Sequence, residues 1–302
     1  MNFKYFSKIF SAFEIFKRKL KKNINPIFIV GVPRSGTTLL ASILSTHSNI
    51  IIPNETEFIF HLRTVLEKNN NVENVIKWFT HYKRWMDFNI PEELLKKKLE
   101  KHYNLNIYNV LDDFYNCFVE LSGKKRWGDK TPTYSKLLKS ISRNWPYAYV
   151  IHIIRDGRAV ANSFLKLNWG PNNIKKAAEL WKKNILKCRK DSKYIKYYYE
   201  IRFENLLSDF DNEIRDICNF INESFEEDML LFYKKNGVNR YNEMIKNKNI
   251  NMNTRKEYHK NIIKPIDKNI AEKWKSELSM NQIKKFQDVA GDLLTELNYS
   301  RL

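Results

Sequence analysis

"IFIVGVPRSGTTLL", Ile27 to Leu40, decides the fold. Its apolar run Ile27–Val30 stops at a glycine, as a short buried strand does. Four residues separate Gly31 from Gly36, and an apolar, helix-like run follows from Thr37 to about Thr46. This order fits a strand–loop–helix cradle for phosphate, the G-x-x-x-x-G-K-[ST] pattern, at all but one position. Thr37 stands where the pattern has its lysine. The chain has only eight glycines, so two at the required spacing carry weight. Glycine permits the tight turn and the close approach of backbone to an anion. The helix that follows would aim free N–H groups and a positive dipole end at that anion. The hydroxyls of Thr37 and Thr38 add donors.

The missing lysine narrows the chemistry. In phosphoryl transfer, a loop lysine and magnesium clamp the β- and γ-phosphates. Here the strand "YVIHII" runs into Arg155, at the place where a hydrolase would put a metal-binding aspartate, although Asp156 follows at once. A sulfuryl group carries less negative charge than a terminal phosphoryl group. Fixed cations could handle it with no metal.

Outward from the loop, Ile50–Ile52 reads as a second strand. From Glu55 to about Gly123 the pattern is helical and charged, with "PEELLKKKLEKHY" a clear helix opened by Pro91. This segment, about 55–125, reads as an insertion or lid. Its Trp78, Phe79, Trp85, Phe88 and Tyr103 could stack on an acceptor ring or simply fill a core. "YAYVIHIIRDGRAVANSF" gives a strand (147–154), a turn at Gly157 and a helix, and "YIKYYYEIRFENLL" gives a strand ending near Arg202. Strands separated by helices predict an α/β fold, a P-loop-type parallel sheet flanked by helices, with the helical insertion forming an acceptor lid.

The formal net charge of +19 favours anionic partners, although heavy use of Lys, Asn and Ile throughout is an alternative origin for the excess. Three scattered cysteines, Cys117, Cys188 and Cys218, fit a reducing, cytoplasmic setting without a disulfide framework. Residues 1–25 form a basic amphipathic segment, with Phe3, Phe6, Phe10, Phe13, Phe16 and Leu20 at helical steps among lysines. Such a helix can make peripheral membrane contact through residues 1–22 or dock on the protein's own body. Its interrupting lysines and the lack of a small-residue cleavage site argue against a secretory signal.

"VGVPRSGTTLL" resembles the 5′-phosphosulfate loop of sulfotransferases, above all the protein-tyrosine and related bacterial members. "IIRDGRAVANSF" resembles their 3′-phosphate motif, "YEIRFENLL" the strand and turn that follow, and "IIKPIDKNIAEKW" the C-terminal loop and helix that close over the donor. The four occur in order between Pro26 and about Trp274, which implies a single sulfotransferase domain over 26–302. The resemblance implies 3′-phosphoadenosine-5′-phosphosulfate (PAPS) as donor, no metal, and an acceptor hydroxyl on a carbohydrate, peptide tyrosine, lipid or small molecule.

Carried over residue by residue, Pro33, Arg34, Ser35, Gly36, Thr37 and Thr38 would hold the 5′-phosphosulfate. Arg155, Ser163 and Lys264 match the 3′-phosphate ligands, a fork and a hydroxyl suited to a dianion. Phe203 implies an adenine-side contact by stacking. Arg34 matches the cation at the bridging oxygen and Lys130, in "WGDKTPTY", a second cation at the transferring group. Glu55, in "PNETEF" and 21 residues after Arg34, matches the general base, with Glu57 its rival. His47 and His152 are weaker candidates, His152 reading as a packed core residue. Arg158 reads as a structural salt-bridge partner. The sequence departs from the tyrosine-sulfating pattern before Lys264, where Tyr258 and His259 replace an expected serine, and His259 stays unassigned.

Two other classes are to be weighed. A kinase or nucleotidase with an altered loop would use ATP and magnesium, which the absent lysine argues against. A basic polyanion-binding module would bind in a strongly salt-dependent way. Neither an RNA-binding aromatic motif nor a zinc pattern is present, so nucleic acid is not an expected partner.

Overall fold

The computed structural model describes residues 25–234, 236–246 and 260–302. The basic segment 1–24 and His259, both singled out above, lie outside them. Among the described residues, β1 (Ile27–Gly31), β2 (Ile50–Ile51), β3 (Arg126–Lys130), β4 (Tyr149–Ile154) and β5 (Tyr197–Arg202) form one parallel sheet in the order β2-β3-β1-β4-β5.

The central β1 is apolar throughout and wholly buried, because both faces of a parallel sheet are covered by helices. Ile27 and Ile29 face the cluster built on α1 (Thr37–Leu44). Phe28 and Val30 face the opposite cluster, which takes in the helices of the 55–125 segment. These are α2 (Phe58–Lys68), α3 (Val72–Thr80), α4 (Glu92–Leu99) and α5 (Ile107–Ser122). Phe58 anchors them, with its ring 4.9–5.5 Å from those of Phe79, Phe88, Phe114, Trp78 and Tyr82. Edge-on aromatic pairs of this kind contribute about 0.5–1.5 kcal/mol each beyond burial. Phe79 and Phe88 are therefore core, Trp78 and Trp85 pack against that core, and Tyr103 is exposed.

One central strand departs from the sequence expectation. β3, "RWGDK", has no apolar run, yet all five of its residues are buried. Its charges have dedicated partners. Arg126 donates to the carbonyls of Asn25 and Ile221 and pairs with Glu223. Asp129 and Lys130 meet residues of the 55–56 segment. Pattern alone cannot reveal a strand whose charged side chains find their partners only across the tertiary structure.

After β3 come α6 (Leu138–Asn144), then β4, α7 (Gly157–Leu165), α8 (Ile174–Ser192), β5, α9 (Phe203–Ser208), α10 (Phe210–Ile221), α11 (Asn236–Lys246), α12 (Trp274–Glu277) and α13 (Met280–Glu296). The chain leaves β1 toward β2 and leaves β4 toward β5, so the connections diverge between these neighbours. In open α/β sheets that crevice, beyond the carboxyl ends of the strands, is where ligands bind.

Candidate active site

The loop after β1 carries two backbone specials. Arg34 has φ 78° and Gly36 φ 101°. A non-glycine residue held there costs about 1–3 kcal/mol, and such strain gathers at ligand sites. Successive N–H groups in such turns form a concave anion cradle. Gly36 is also close-packed, since a Cβ there would lie 2.3 Å from the Phe203 ring. Gly36 precedes α1 without any side-chain cap, so the first N–H groups of that helix have no capping partner from it. The Ser35 hydroxyl, fully buried, has no protein partner.

The residues after β4 are stitched to this loop. Arg155 donates to the Arg34 carbonyl at 3.2 Å and to the Ile270 carbonyl at 2.8 Å, while its Nε has no protein partner. Its guanidinium lies 4.5 Å over the Phe203 ring. Burial pushes Arg155 down to about 10, which leaves it charged at neutral pH. The Arg34 Nε donates to Ser163 Oγ at 3.0 Å. Ser163 therefore pairs with the loop arginine. Arg158 forks onto Asp156, with Nη2 2.7 Å from Oδ2, and stacks 4.0 Å over Trp274, the structural role read from the sequence.

A cavity of about 470 Å³ opens between these elements. One wall is Arg34, Gly36, Thr37, Thr38 and Arg155, and the other is the 261–273 segment with Lys264 and Lys273. Phe203, Leu207 and Ile270 give it an apolar side. Four cations, an amide cradle and a flat apolar side suit a ligand with anionic groups and a planar ring. Lys273 escaped the sequence reading, although it sits inside the quoted "IAEKW".

Lys130 and Glu55 meet on the other side of β1. The register Ile29↔Lys130 puts Lys130 at the end of β3 beside the start of the loop. Its Nζ lies 3.0 Å from Glu55 Oε2, with the side chains 2% and 24% exposed. Burial pushes the Lys130 ammonium below its usual range; Glu55 opposes this, and Arg240 adds to it. Arg240 comes from α11 and donates to the Ile52 and Pro53 carbonyls. Arg84 donates to the Glu55 carbonyl at 3.1 Å. Burial works against the Arg84 charge, but Glu55 and Glu57 outweigh it and raise the group. Tyr82 is pushed up to about 12, by burial first and then by Glu57. Arg84 and Arg240 gave no sequence signal, since both sit in lysine-rich helical surroundings. His47 is remote from this pair, bonded to the Ser224 carbonyl and close to Glu226.

Comparison with known proteins fixes the family. A family model described as the sulfotransferase family matches residues 26–227. The chain belongs to the sulfotransferase family. It is an α/β enzyme of sulfuryl transfer, and the altered phosphate loop is part of that fold. It is similar to nodulation protein NoeE of Sinorhizobium fredii, at 24% identity over 93% of this chain and 68% of that protein. It is also similar to protein-tyrosine sulfotransferase A of Caenorhabditis elegans, at 22% identity over 90% of this chain and 67% of that protein. Among solved structures, the sulfotransferase domain from the curacin biosynthetic pathway shares its fold, with a TM-score of 0.62 and 22% identity over 93% of this chain and 100% of that domain. Among the described residues, no helix of this sulfotransferase is long and apolar enough to cross a membrane.

Proposed function

We propose that this sulfotransferase moves a sulfuryl group from PAPS to an acceptor hydroxyl by in-line displacement. The observation that carries the reading is the pairing of buried Lys130 with half-buried Glu55 next to the β1 loop, across from the cation-lined cavity. The loop 33–38 would hold the 5′-phosphosulfate through backbone N–H groups and the hydroxyls of Ser35, Thr37 and Thr38. Arg155 and Lys264 would face the 3′-phosphate, with Ser163 holding Arg34. Phe203 would stack on the adenine.

Glu55 takes the acceptor proton as the acceptor oxygen bonds to sulfur. The bond between sulfur and the bridging oxygen breaks, and the charge that develops on that oxygen is met by Arg34, Lys130 and the loop amides. The products are a sulfate ester and 3′-phosphoadenosine-5′-phosphate (PAP). Glu55 rather than Glu57 is assigned as base because its carboxylate is held by Lys130. The helices over 58–122 form the acceptor-side wall, since Tyr82 and Arg84, which follow α3, reach the 55–57 segment.

The decisive test is thermal stabilisation by PAP against ATP–magnesium, followed by transfer from labelled PAPS to a panel of hydroxyl acceptors. Stabilisation by PAP alone is expected. A preference for ATP–magnesium would overturn the reading.

A further inference from the structure

We propose that Asp129 is a positioning residue for the Glu55–Lys130 pair and acts through the hydroxyl of Thr56. This rests on the roles just proposed for that pair. Two consecutive residues of the 55–56 segment meet two consecutive residues of β3. Glu55 meets Lys130 at 3.0 Å, and Thr56 Oγ1 donates to Asp129 Oδ2 at 2.7 Å. Thr56 is 0% and Asp129 1% exposed. The same carboxylate oxygen accepts from the Tyr115 hydroxyl at 2.5 Å.

Residues 52–57 belong to neither a helix nor a strand. No ladder therefore fixes Glu55, and side-chain bonds must do so. The Thr56 N–H donates to Thr131 Oγ1 at 3.3 Å, which ties the backbone to the residue after Lys130. A carboxylate acceptor makes shorter and stronger hydrogen bonds than a neutral one. Burying it is costly unless it is matched; here two hydroxyls meet Oδ2, while Oδ1 is buried without a partner. Burial raises the Asp129 carboxyl above its usual range, and the hydroxyls of Tyr115, Thr56 and Thr131 oppose this without cancelling it. A carboxylate placed one residue before the buried lysine thus helps to set, through the Thr56 hydroxyl and beside the bonds that Tyr82 and Arg84 make to the same backbone, where the opposing glutamate stands.

The test compares Thr56→Val, Thr56→Ser and Asp129→Ala in the full chain. A shift of about 1 Å at a reacting group can cost on the order of a hundredfold, so Thr56→Val should lower kcat by at least about tenfold. The KM for PAPS should stay within about twofold, because the donor cavity is built by other elements. Thr56→Ser should restore the rate. Asp129→Ala should reproduce the loss, and the double variant should be no worse than the poorer single, as for groups on one path. A Thr56→Val protein that PAP still stabilises and whose kcat stays within about twofold of wild type would overturn the proposal. So would failure of serine to restore the rate, or additive losses. If Asp129→Ala does not fold, Thr56→Val decides.

A second readout needs no turnover. Labelling of Lys130 by an amine-reactive reagent, followed by mass spectrometry, should speed up about threefold in Thr56→Val and in the reference Glu55→Gln, as the segment opens more often. Unchanged labelling overturns the positioning role. A wild type that transfers nothing from PAPS overturns the proposed function instead, and labelling then decides the positioning alone.

Discussion

Replacing Gly36 by alanine tests the proposed phosphate cradle and the proposed adenine side together. The new Cβ would lie 2.3 Å from Cδ2 and 2.5 Å from Cε2 of Phe203, and 3.4 Å from Ile153 Cδ1. The ring cannot swing away cheaply, because Phe203 is 4% exposed and covered by the Arg155 guanidinium. The backbone is unfavourable as well, since φ at Gly36 is 101°. A side chain in left-handed backbone costs roughly 1–2 kcal/mol. Overpacking a filled site adds roughly 1–3 kcal/mol. The smaller entropy of the unfolded alanine chain returns roughly 0.4–1 kcal/mol. The net expectation is a loss of about 2–4 kcal/mol, read as a fall in the urea midpoint with m unchanged. The displaced ring also moves Arg155, so PAP affinity measured by calorimetry should drop at least about tenfold, or about 1.4 kcal/mol. A loss under about 1 kcal/mol with PAP affinity within about twofold of wild type would refute the claim that ring and loop share this space.

Glu55→Gln should lower kcat by about 10²–10⁴-fold while PAP stabilises the protein as before, whereas a rate near wild type would remove Glu55 from the base role. Thr37→Lys should not create an ATPase and should weaken PAPS use, since Thr37 is buried at the helix start; gained ATP hydrolysis in a coupled phosphate assay would show that the loop is a nucleotidase loop lacking only its lysine. His152 supplies a pH dependence. Burial favours its neutral ring, but Cys188 and the Glu200 carboxylate, 3.3 Å away, outweigh that and raise it to about 9 from 6.5. Its contribution to stability is thus fully present below pH 6.5 and is lost as pH climbs through about 9, on the order of 3 kcal/mol. Urea titrations of wild type and His152→Asn should converge over that range, and parallel curves would exclude a charged His152.

The loop was legible in the sequence because it is local chemistry. A strand, two glycines and a helix start lie within eleven residues, Ile27 to Thr37, and no distant partner is needed to recognise them. The same holds for the strands at Ile27, Tyr149 and Tyr197, whose apolar or β-favouring runs announce them. β3 was not legible. "RWGDK" is polar, and its burial depends on Asn25, Ile221, Glu223, Glu55 and Thr56, which are remote in the chain.

The sequence by itself determined the fold class and the strand–loop–helix turn after β1, because spacing and residue type suffice for both. Only the tertiary structure decided which groups meet. It put Lys130 against Glu55, Arg34 against Ser163, and Arg84 and Arg240 around the buried lysine. The physical reason is that hydrogen bonds and ion pairs depend on distances of about 3 Å. Separation along the chain says little about those distances until the sheet order brings β3 beside β1 and carries the 55–57 segment across its end.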